Sequence, residues 1–147
     1  MIKRRRFVII AAQFNRDIAQ SLIRGATDVL RQAGVTAGNI NILWVPGAFE
    51  LPVVARHLAA RRNHPDAIIA VGALIRGETS QHEVIAHAVV QGLADVSVRS
   101  GVPVTFGVIV ANSLSQARAR AGGAVGNRGA EAAMAALAVL RLFERLP

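Results

Sequence analysis

Residues 67–79 read Ala67-Ile68-Ile69-Ala70-Val71-Gly72-Ala73-Leu74-Ile75-Arg76-Gly77-Glu78-Thr79. The first seven are small or apolar at every position, with no alternation. A strand with one wet face alternates apolar and polar side chains. A run that is apolar throughout belongs to a strand covered on both faces, as in a parallel sheet flanked by helices. Arg76-Gly77-Glu78-Thr79 then breaks the run, and a helical pattern follows. Strand, glycine turn and helix in that order form part of a βαβ unit.

The same pattern repeats on either side. Phe7-Val8-Ile9-Ile10-Ala11-Ala12 is a second buried strand by composition. Asn15 can cap the helix after it, in which Ile18, Leu22, Ile23, Ala26, Val29, Leu30 and Ala33 form one apolar face and Gly34 ends the run. Residues 40–45 are the next strand, closed by Pro46-Gly47. A helix follows over 49–61, with Leu51, Val54, Ala55 and Leu58 inward and Pro52 in its first turn, where proline is tolerated. Asn63-His64-Pro65-Asp66 turns into the strand at 67–73. A long helix then runs to about residue 100, striped by Ile85, Ala88, Val89, Gly92 and Val96 and stopped by Gly101. Residues 104–110 are the fourth strand, 114–121 a short helix and 130–146 the last helix. The order β-α-β-α-β-α-β-α-α predicts a single α/β domain over 1–147. Its architecture is a three-layer α/β/α sandwich with a four-stranded parallel sheet, flavodoxin-like.

Composition narrows the class. The chain has 147 residues, 52% of them apolar, which excludes disorder, and no cysteine, which excludes disulfides and thiolate zinc. The uncharged stretch 67–75 is far shorter than the ~20 residues that cross a bilayer. Lys3-Arg4-Arg5-Arg6 is not followed by a small-residue cleavage site, so the expectation is a soluble, cytoplasmic protein with no membrane partner. Two values stand out: a mean hydropathy of +0.39 and a net charge of +8. The first points to apolar surface buried between subunits. The second invites a phosphate or polyanion. A nucleic-acid interface is not expected, because the basic run lacks interleaved aromatics; a solvated terminus is the better reading of Lys3 to Arg6.

Open parallel sheets bind ligands beyond the carboxyl ends of their strands. That edge carries Asn15 and Phe14, then 46–50, then 73–79, then 111–113. Gly72 to Thr79 has the spacing of a phosphate loop, yet Glu78 stands where a nucleotide-binding loop needs lysine, which rules out a nucleoside triphosphate. The amides of Glu78, Thr79 and Ser80 still suit one phosphate; the competing reading is an ordinary helix start capped by Thr79. Phe14 and Phe49 share the edge and could stack on a flat ligand, although core packing is the commoner fate of phenylalanine. Trp44 lies within a strand and reads as core. Arg118, Arg120 and Arg128 surround a glycine loop and read, by themselves, as solvated charge. The histidines, at 57, 64, 82 and 87, have no metal-ligand spacing, so no metal is expected. His82, in the first turn of the long helix, is the best placed for proton transfer, against the commoner reading of a surface helix histidine.

Six segments, in order, resemble the lumazine synthase family across nearly the whole chain. They are Phe14-Asn15, Val45-Pro46-Gly47-Ala48-Phe49-Glu50-Leu51-Pro52, Ile75-Arg76-Gly77-Glu78-Thr79, Pro103-Val104-Thr105-Phe106-Gly107-Val108, Gln116-Ala117 with Arg120-Ala121-Gly122, and Gly126-Asn127-Arg128-Gly129-Ala130-Glu131-Ala132-Ala133. The resemblance implies condensation of 5-amino-6-ribitylaminouracil with 3,4-dihydroxy-2-butanone 4-phosphate, giving 6,7-dimethyl-8-ribityllumazine for riboflavin synthesis. Phosphate and water are released, and no metal or organic cofactor is used. It also implies pentamers, often twelve in a hollow icosahedral shell, active sites shared between neighbouring subunits, and riboflavin synthase as a candidate partner.

Roles carried over by the resemblance are as follows. Phe14, with Asn15 beside it, matches the aromatic that stacks on the pyrimidine. Ala48, Phe49 and Glu50 match the ribityl-binding segment, and Ala73, Leu74 and Ile75 the backbone along the uracil. Glu78 and Thr79 match the phosphate cradle. Phe106 and Arg120 are expected from the neighbour, Arg120 on the phosphate, and Arg128 stands where the family usually has lysine. One departure bears on catalysis. The family places its proton-shuttling histidine two residues after the threonine; here that residue is Gln81, with His82 next. Glutamine exchanges no proton near neutral pH. At about 100° per residue the two side chains should flank the Ile85–Val89 stripe on opposite sides, so His82 would need a changed helix start to reach the same point. Residues 110–113 also differ from the threonine-rich segment usual there. The alternative reading is a weakened or inactive paralogue that forms a shell or binds ligand.

Overall fold

Phe7, Ile9 and Ala11 face one layer of helices, and Val8, Ile10 and Ala12 face another; none of the six is more than marginally exposed. Their strand, β1 (Phe7–Ala12), therefore lies inside the sheet. The other strands are β2 (Ile40–Val45), β3 (Ala67–Ile75) and β4 (Val104–Ala111). They pair in the order β2-β1-β3-β4, all parallel. The coordinates are a computed structural model that describes residues 1–147.

Five helices complete the layers: α1 (Arg16–Gln32), α2 (Leu51–Ala59), α3 (Gln81–Ser100), α4 (Leu114–Ala119) and α5 (Arg128–Arg145). Leu22, Ala26 and Leu30 of α1 and Ala133, Ala136 and Leu137 of α5 close one core with Phe7 and Ile9. Leu51, Ala55 and Leu58 of α2 and Val89, Leu93 and Val96 of α3 close the other with Ile10 and Ile68. Fully burying a side chain such as Phe7 or Ile9 stabilises the fold by roughly 1.5–3 kcal/mol. The flavodoxin-like sandwich read from the strand pattern is the observed architecture. A short ribbon, β5 (Ala121–Gly123) against β6 (Gly126–Asn127), forms from the glycine loop. Gly34 and Gly101 follow α1 and α3 with φ of 94° and 75°, the left-handed geometry that ends a helix without Cβ strain.

Several local readings change. The third strand runs on to Ile75, two residues beyond the apolar block, because β4 pairs with it through Leu74 and Ile75. The second helix is shorter than 49–61: a single 3-10 turn, Ala48–Glu50, precedes Leu51–Ala59. β2 is not covered on both faces. It is an outer strand, and Ile42 and Leu43 are 43% and 41% exposed. On α3 the buried stripe is Ala86, Val89, Leu93 and Val96, with Ala88 on the outside. Trp44 is half-buried, its ring covered by the Arg16 guanidinium at 4.1 Å from the centroid.

The basic N-terminus is only partly solvated. Asp66, just before β3, accepts from the Arg6 backbone amide at 2.7 Å and from the Arg5 side chain at 3.0 Å. The Arg6 guanidinium donates to Asn63 Oδ1 and to the His64 carbonyl oxygen at 2.9 and 2.7 Å. These bonds pin the entries of β1 and β3 side by side, whereas Lys3 and Arg4 are exposed. No helix is long and apolar enough to cross a membrane.

Candidate active site

The carboxyl ends of β1, β2 and β3 open into one cleft of about 610 Å³. Phe14 and Asn15 enter it after β1, and Gly47, Ala48 and Phe49 after β2. Ala73, Leu74 and Ile75 form its floor from the end of β3, and Gly77, Glu78, Thr79, Gln81, His82 and Ile85 its far wall. Most of the site residues expected from sequence thus meet at one place.

The two aromatics are not core. Phe14 is 74% and Phe49 65% exposed. Both phenyl rings stand free at the mouth, available to the faces of a planar ligand. Asn15, the chain's one non-glycine residue with positive φ (57°), takes the N-cap position of α1, but its side chain does not cap. Its carbonyl oxygen receives Ile18 N and Ala19 N at 3.0 and 3.1 Å, while Nδ2 makes a long contact, 3.5 Å, to the Ala73 carbonyl oxygen. Phe14 directly precedes this left-handed turn and lines the cleft. Glu50 is half-buried beside it rather than in its lining, with Oε1 folded back over Gly47.

At the other end is the start of α3. Ser80 occupies the N-cap position without a side-chain cap, so Thr79 is not the cap; its Oγ1 instead accepts from Gln81 N at 3.4 Å. Glu83 N bonds to the Ser80 carbonyl oxygen at 3.0 Å. The amides of Glu78, Thr79, Ser80 and His82 have no acceptor within the chain. Unpaired amides and the positive end of a 20-residue helix favour an anion here. The lining holds no lysine or arginine, and its one carboxylate is Glu78.

Gln81 and His82 both reach the cleft, and α3 is regular α-helix from Gln81 onward. The helix start is unaltered, and the two adjacent side chains line the cleft from different positions. Gln81 is exposed, and His82 is 6% exposed with Nδ1 buried and unpartnered. The reading of His82 as a surface histidine is therefore replaced by a buried one.

Phe106, Arg120 and Arg128 lie outside this cleft. Phe106 is 39% exposed on the outer strand β4. Arg120 Nη1 donates to the Gln116 carbonyl oxygen at 3.0 Å, and Arg128 pairs with Glu131 at 2.7 Å. Arg118 pairs with Asp17 at 3.4 Å. The divergent segment near Asn112 caps α4. Ser113 Oγ accepts from Gln116 N at 3.1 Å, and Gln116 Oε1 accepts from Asn112 N at 2.8 Å. Gly77, within the edge segment 73–79, lines the cleft, and so does Ile85, which the sequence places only in the apolar stripe of α3. Their only signal is position, one within the glycine turn and the other one helical turn after Gln81.

A parallel α/β sheet whose carboxyl edge joins exposed aromatics to an anion-ready helix start has the build of a small-molecule site. Sequence comparison agrees and is more specific. The profile of 6,7-dimethyl-8-ribityllumazine synthase matches residues 4–144. A 6,7-dimethyl-8-ribityllumazine synthase of Gemmatimonas aurantiaca is 47% identical over 141 residues, 96% of this chain and 85% of that one. A 6,7-dimethyl-8-ribityllumazine synthase of Leuconostoc mesenteroides is 37% identical over 142 residues, 97% of this chain and 90% of that one. The chain belongs to the 6,7-dimethyl-8-ribityllumazine synthase family.

Proposed function

We propose that this protein condenses 5-amino-6-ribitylaminouracil with 3,4-dihydroxy-2-butanone 4-phosphate to 6,7-dimethyl-8-ribityllumazine, releasing phosphate and water in riboflavin biosynthesis. The observation that carries the reading is the cleft, which joins an aromatic end to an anion-binding end within one family member. Phe14 and Phe49 take the uracil and the start of the ribityl chain, and Glu50 accepts ribityl hydroxyl protons. The β3 terminus, Ala73 to Ile75, offers backbone groups to the ring edge. The phosphate sits on the amides of Glu78 and Thr79. Amine attack on the ketone, loss of phosphate, ring closure and dehydration follow. Holding both reactants in register is worth roughly 7–11 kcal/mol for such a bimolecular condensation.

One chain leaves the phosphate without a cation, since the lining contains none and Glu78 opposes the charge. Arg120, with Arg128 near it in sequence, supplies that cation from a neighbouring copy, and Phe106 of the same neighbour closes the pocket. This requires a homo-oligomer, a pentamer or a 60-mer of twelve pentamers, which light scattering after size exclusion measures directly. Riboflavin synthase, which consumes the product, is the natural partner, and the cytoplasm the natural location.

The test mixes purified protein with both substrates and follows product absorbance. Turnover above the spontaneous rate is expected. Tight binding of a ribitylaminouracil analogue without turnover would identify a binding paralogue instead, and would overturn the reading.

A further inference from the structure

The 17 basic and nine acidic residues are not mixed evenly over the molecule. In an all-parallel sheet the strands begin at one edge, and the helices that return the chain end there. This amino edge, opposite the cleft, gathers most of the positive charge. Lys3 and Arg4 lie just ahead of β1, and Arg61 and Arg62 ahead of β3. The last turns of α1, α2, α3 and α5 add Arg31, Arg56, Arg99 and Arg145, and Arg141 lies one turn before Arg145. Bonds hold these segments together. Thr36 N, from the turn after α1, reaches the Lys3 carbonyl oxygen at 3.4 Å, and the Met1 amino group reaches Glu144 of α5 at 2.7 Å.

The carboxylates of this edge are already taken: Asp66 by Arg5, Asp95 by Arg99, and Glu144 by Met1 and Arg5. Asp28, one turn before Arg31, is the exception. Apart from Arg99, every cation named along the edge is exposed and has no carboxylate partner. Toward the cleft, Asp17 and Glu131 hold Arg118 and Arg128, and Glu50, Glu78 and Glu83 add negative charge. The net charge of +8 thus resides almost wholly at the end away from the cleft. One cation per helix end answers the helix dipole. That leaves Arg61 and Arg62, which follow Arg56 of α2, and Lys3 and Arg4, which end no α-helix.

We propose that this edge binds single-stranded nucleic acid through its phosphate backbone, without reading sequence. Alone, the run Lys3 to Arg6 reads as a solvated terminus; the fold joins it to the cations of three other segments. All but one of the 17 basic residues are arginine, whose planar fork pairs two N–H groups with phosphate oxygens. They extend across the sheet edge and both helix layers, too widely for one phosphate, as an extended polyanion requires. Between α2 and α3 a hollow of about 560 Å³, lined by Arg56, Asp95, Val96 and Arg99, gives one phosphate a recess. There Asp95 takes only the Arg99 Nε, at 2.7 Å. Phe143, 47% exposed in the last turn of α5, adds an aromatic face for an unpaired base, which an acidic polypeptide would leave unused.

Fluorescence anisotropy of a labelled single-stranded RNA of about 20 nucleotides, titrated with the purified protein at several salt concentrations, tests this. The expected Kd is about 1–100 μM at 0.15 M salt, weakening steeply as salt rises. Arg61→Glu with Arg62→Glu should weaken binding by about tenfold or more and lower the log–log salt slope by about 1.4, at about 0.7 per lost contact. Arg56→Gln with Arg141→Gln is the second pair, decisive if circular dichroism finds the first unfolded. The same charge change toward the cleft, Arg24→Glu with Arg76→Glu, should weaken binding by less than about threefold, because salt screens distant charges. Phe143→Ala should weaken it by about fivefold or more at an unchanged slope. The proposal is overturned if binding ignores salt, if reversals at the two ends weaken it equally, or if Phe143→Ala binds like the parent. Tighter binding to polyglutamate or to phosphatidylserine vesicles than to RNA would also overturn it, and would assign the edge to an acidic protein or a lipid surface.

Discussion

Asn127 Nδ2 donates to the Ser21 carbonyl oxygen at 3.0 Å, while Asn127 Oδ1 accepts from Ala130 N at 3.0 Å. One amide side chain therefore starts α5 and ties it to α1. It fills the place where a side chain on Gly25 would project, so Gly25 and Asn127 are two halves of one contact.

Asn127→Ala should destabilise the fold by about 1–2 kcal/mol, the usual cost of losing a cap. Gly25→Ala should cost about 1–3 kcal/mol through overpacking. The double variant should cost less than the sum by at least about 0.5 kcal/mol, because truncating Asn127 makes room for the new methyl. Urea denaturation at one fixed protein concentration measures all three; strict additivity would break the link between the sites.

Phe14→Ala and Phe49→Ala should separate stability from function. Both rings are mostly exposed, so unfolding midpoints should move little. Stacking of a base on an aromatic is worth about 1–3 kcal/mol, so KM for the ribitylaminouracil should rise by roughly tenfold. Phe7→Ala, at 0% exposure, should do the reverse and cost about 3–5 kcal/mol of stability. Equal KM in parent and Phe14→Ala would remove that ring from the site.

A site shared between copies makes a prediction that a self-contained site does not. Arg120→Ala and His82→Phe should each be nearly inactive. Unfolded together in equal amounts and refolded, they should recover about a quarter of parental activity, since one in four neighbouring pairs joins an intact cleft to an intact Arg120. Steady-state rates of the refolded mixture read this, and no recovery would place Arg120 and the cleft on the same chain.

Asp66→Asn should lower stability by about 1–3 kcal/mol, because it weakens charge-assisted bonds to the Arg6 amide and Arg5 side chain. Arg4→Ala, at an exposed position in the same basic run, should change it by less than about 0.5 kcal/mol. Thermal melts distinguish the two, and similar shifts would mean that the run acts only through its net charge.

The four strands are legible in the sequence because unbroken apolar runs have few other uses in a chain of this size. What such runs do not reveal is sheet position: Ile42 looks like Ile69 in sequence, but one lies on an outer strand and the other between two neighbours. The phase of α3 is obscured for a similar reason. Val89 and Val96 stand out, while Ala86 and Leu93 do not, because small and apolar residues occur all round that helix. The site is legible as an edge, since strand ends and the residues after them are contiguous in sequence. Its finer features are not. The free phenyl of Phe14 lies next to a left-handed Asn15 and that of Phe49 in a 3-10 turn, and the burial of His82 depends on where α3 begins. The Arg5–Asp66 pair spans 61 residues, beyond the reach of any local pattern.

Trp44 is the sole indole in the sequence, and the Arg16 cation rests on its face. Indole emission responds to a charge held that close, so the colour of this protein's ultraviolet fluorescence is tied to the position of one guanidinium. Arg16 directly follows Asn15, which lines the cleft. The molecule thus carries a built-in lamp at the shoulder of its binding site, and filling the cleft should shift the emission of Trp44 with no label attached.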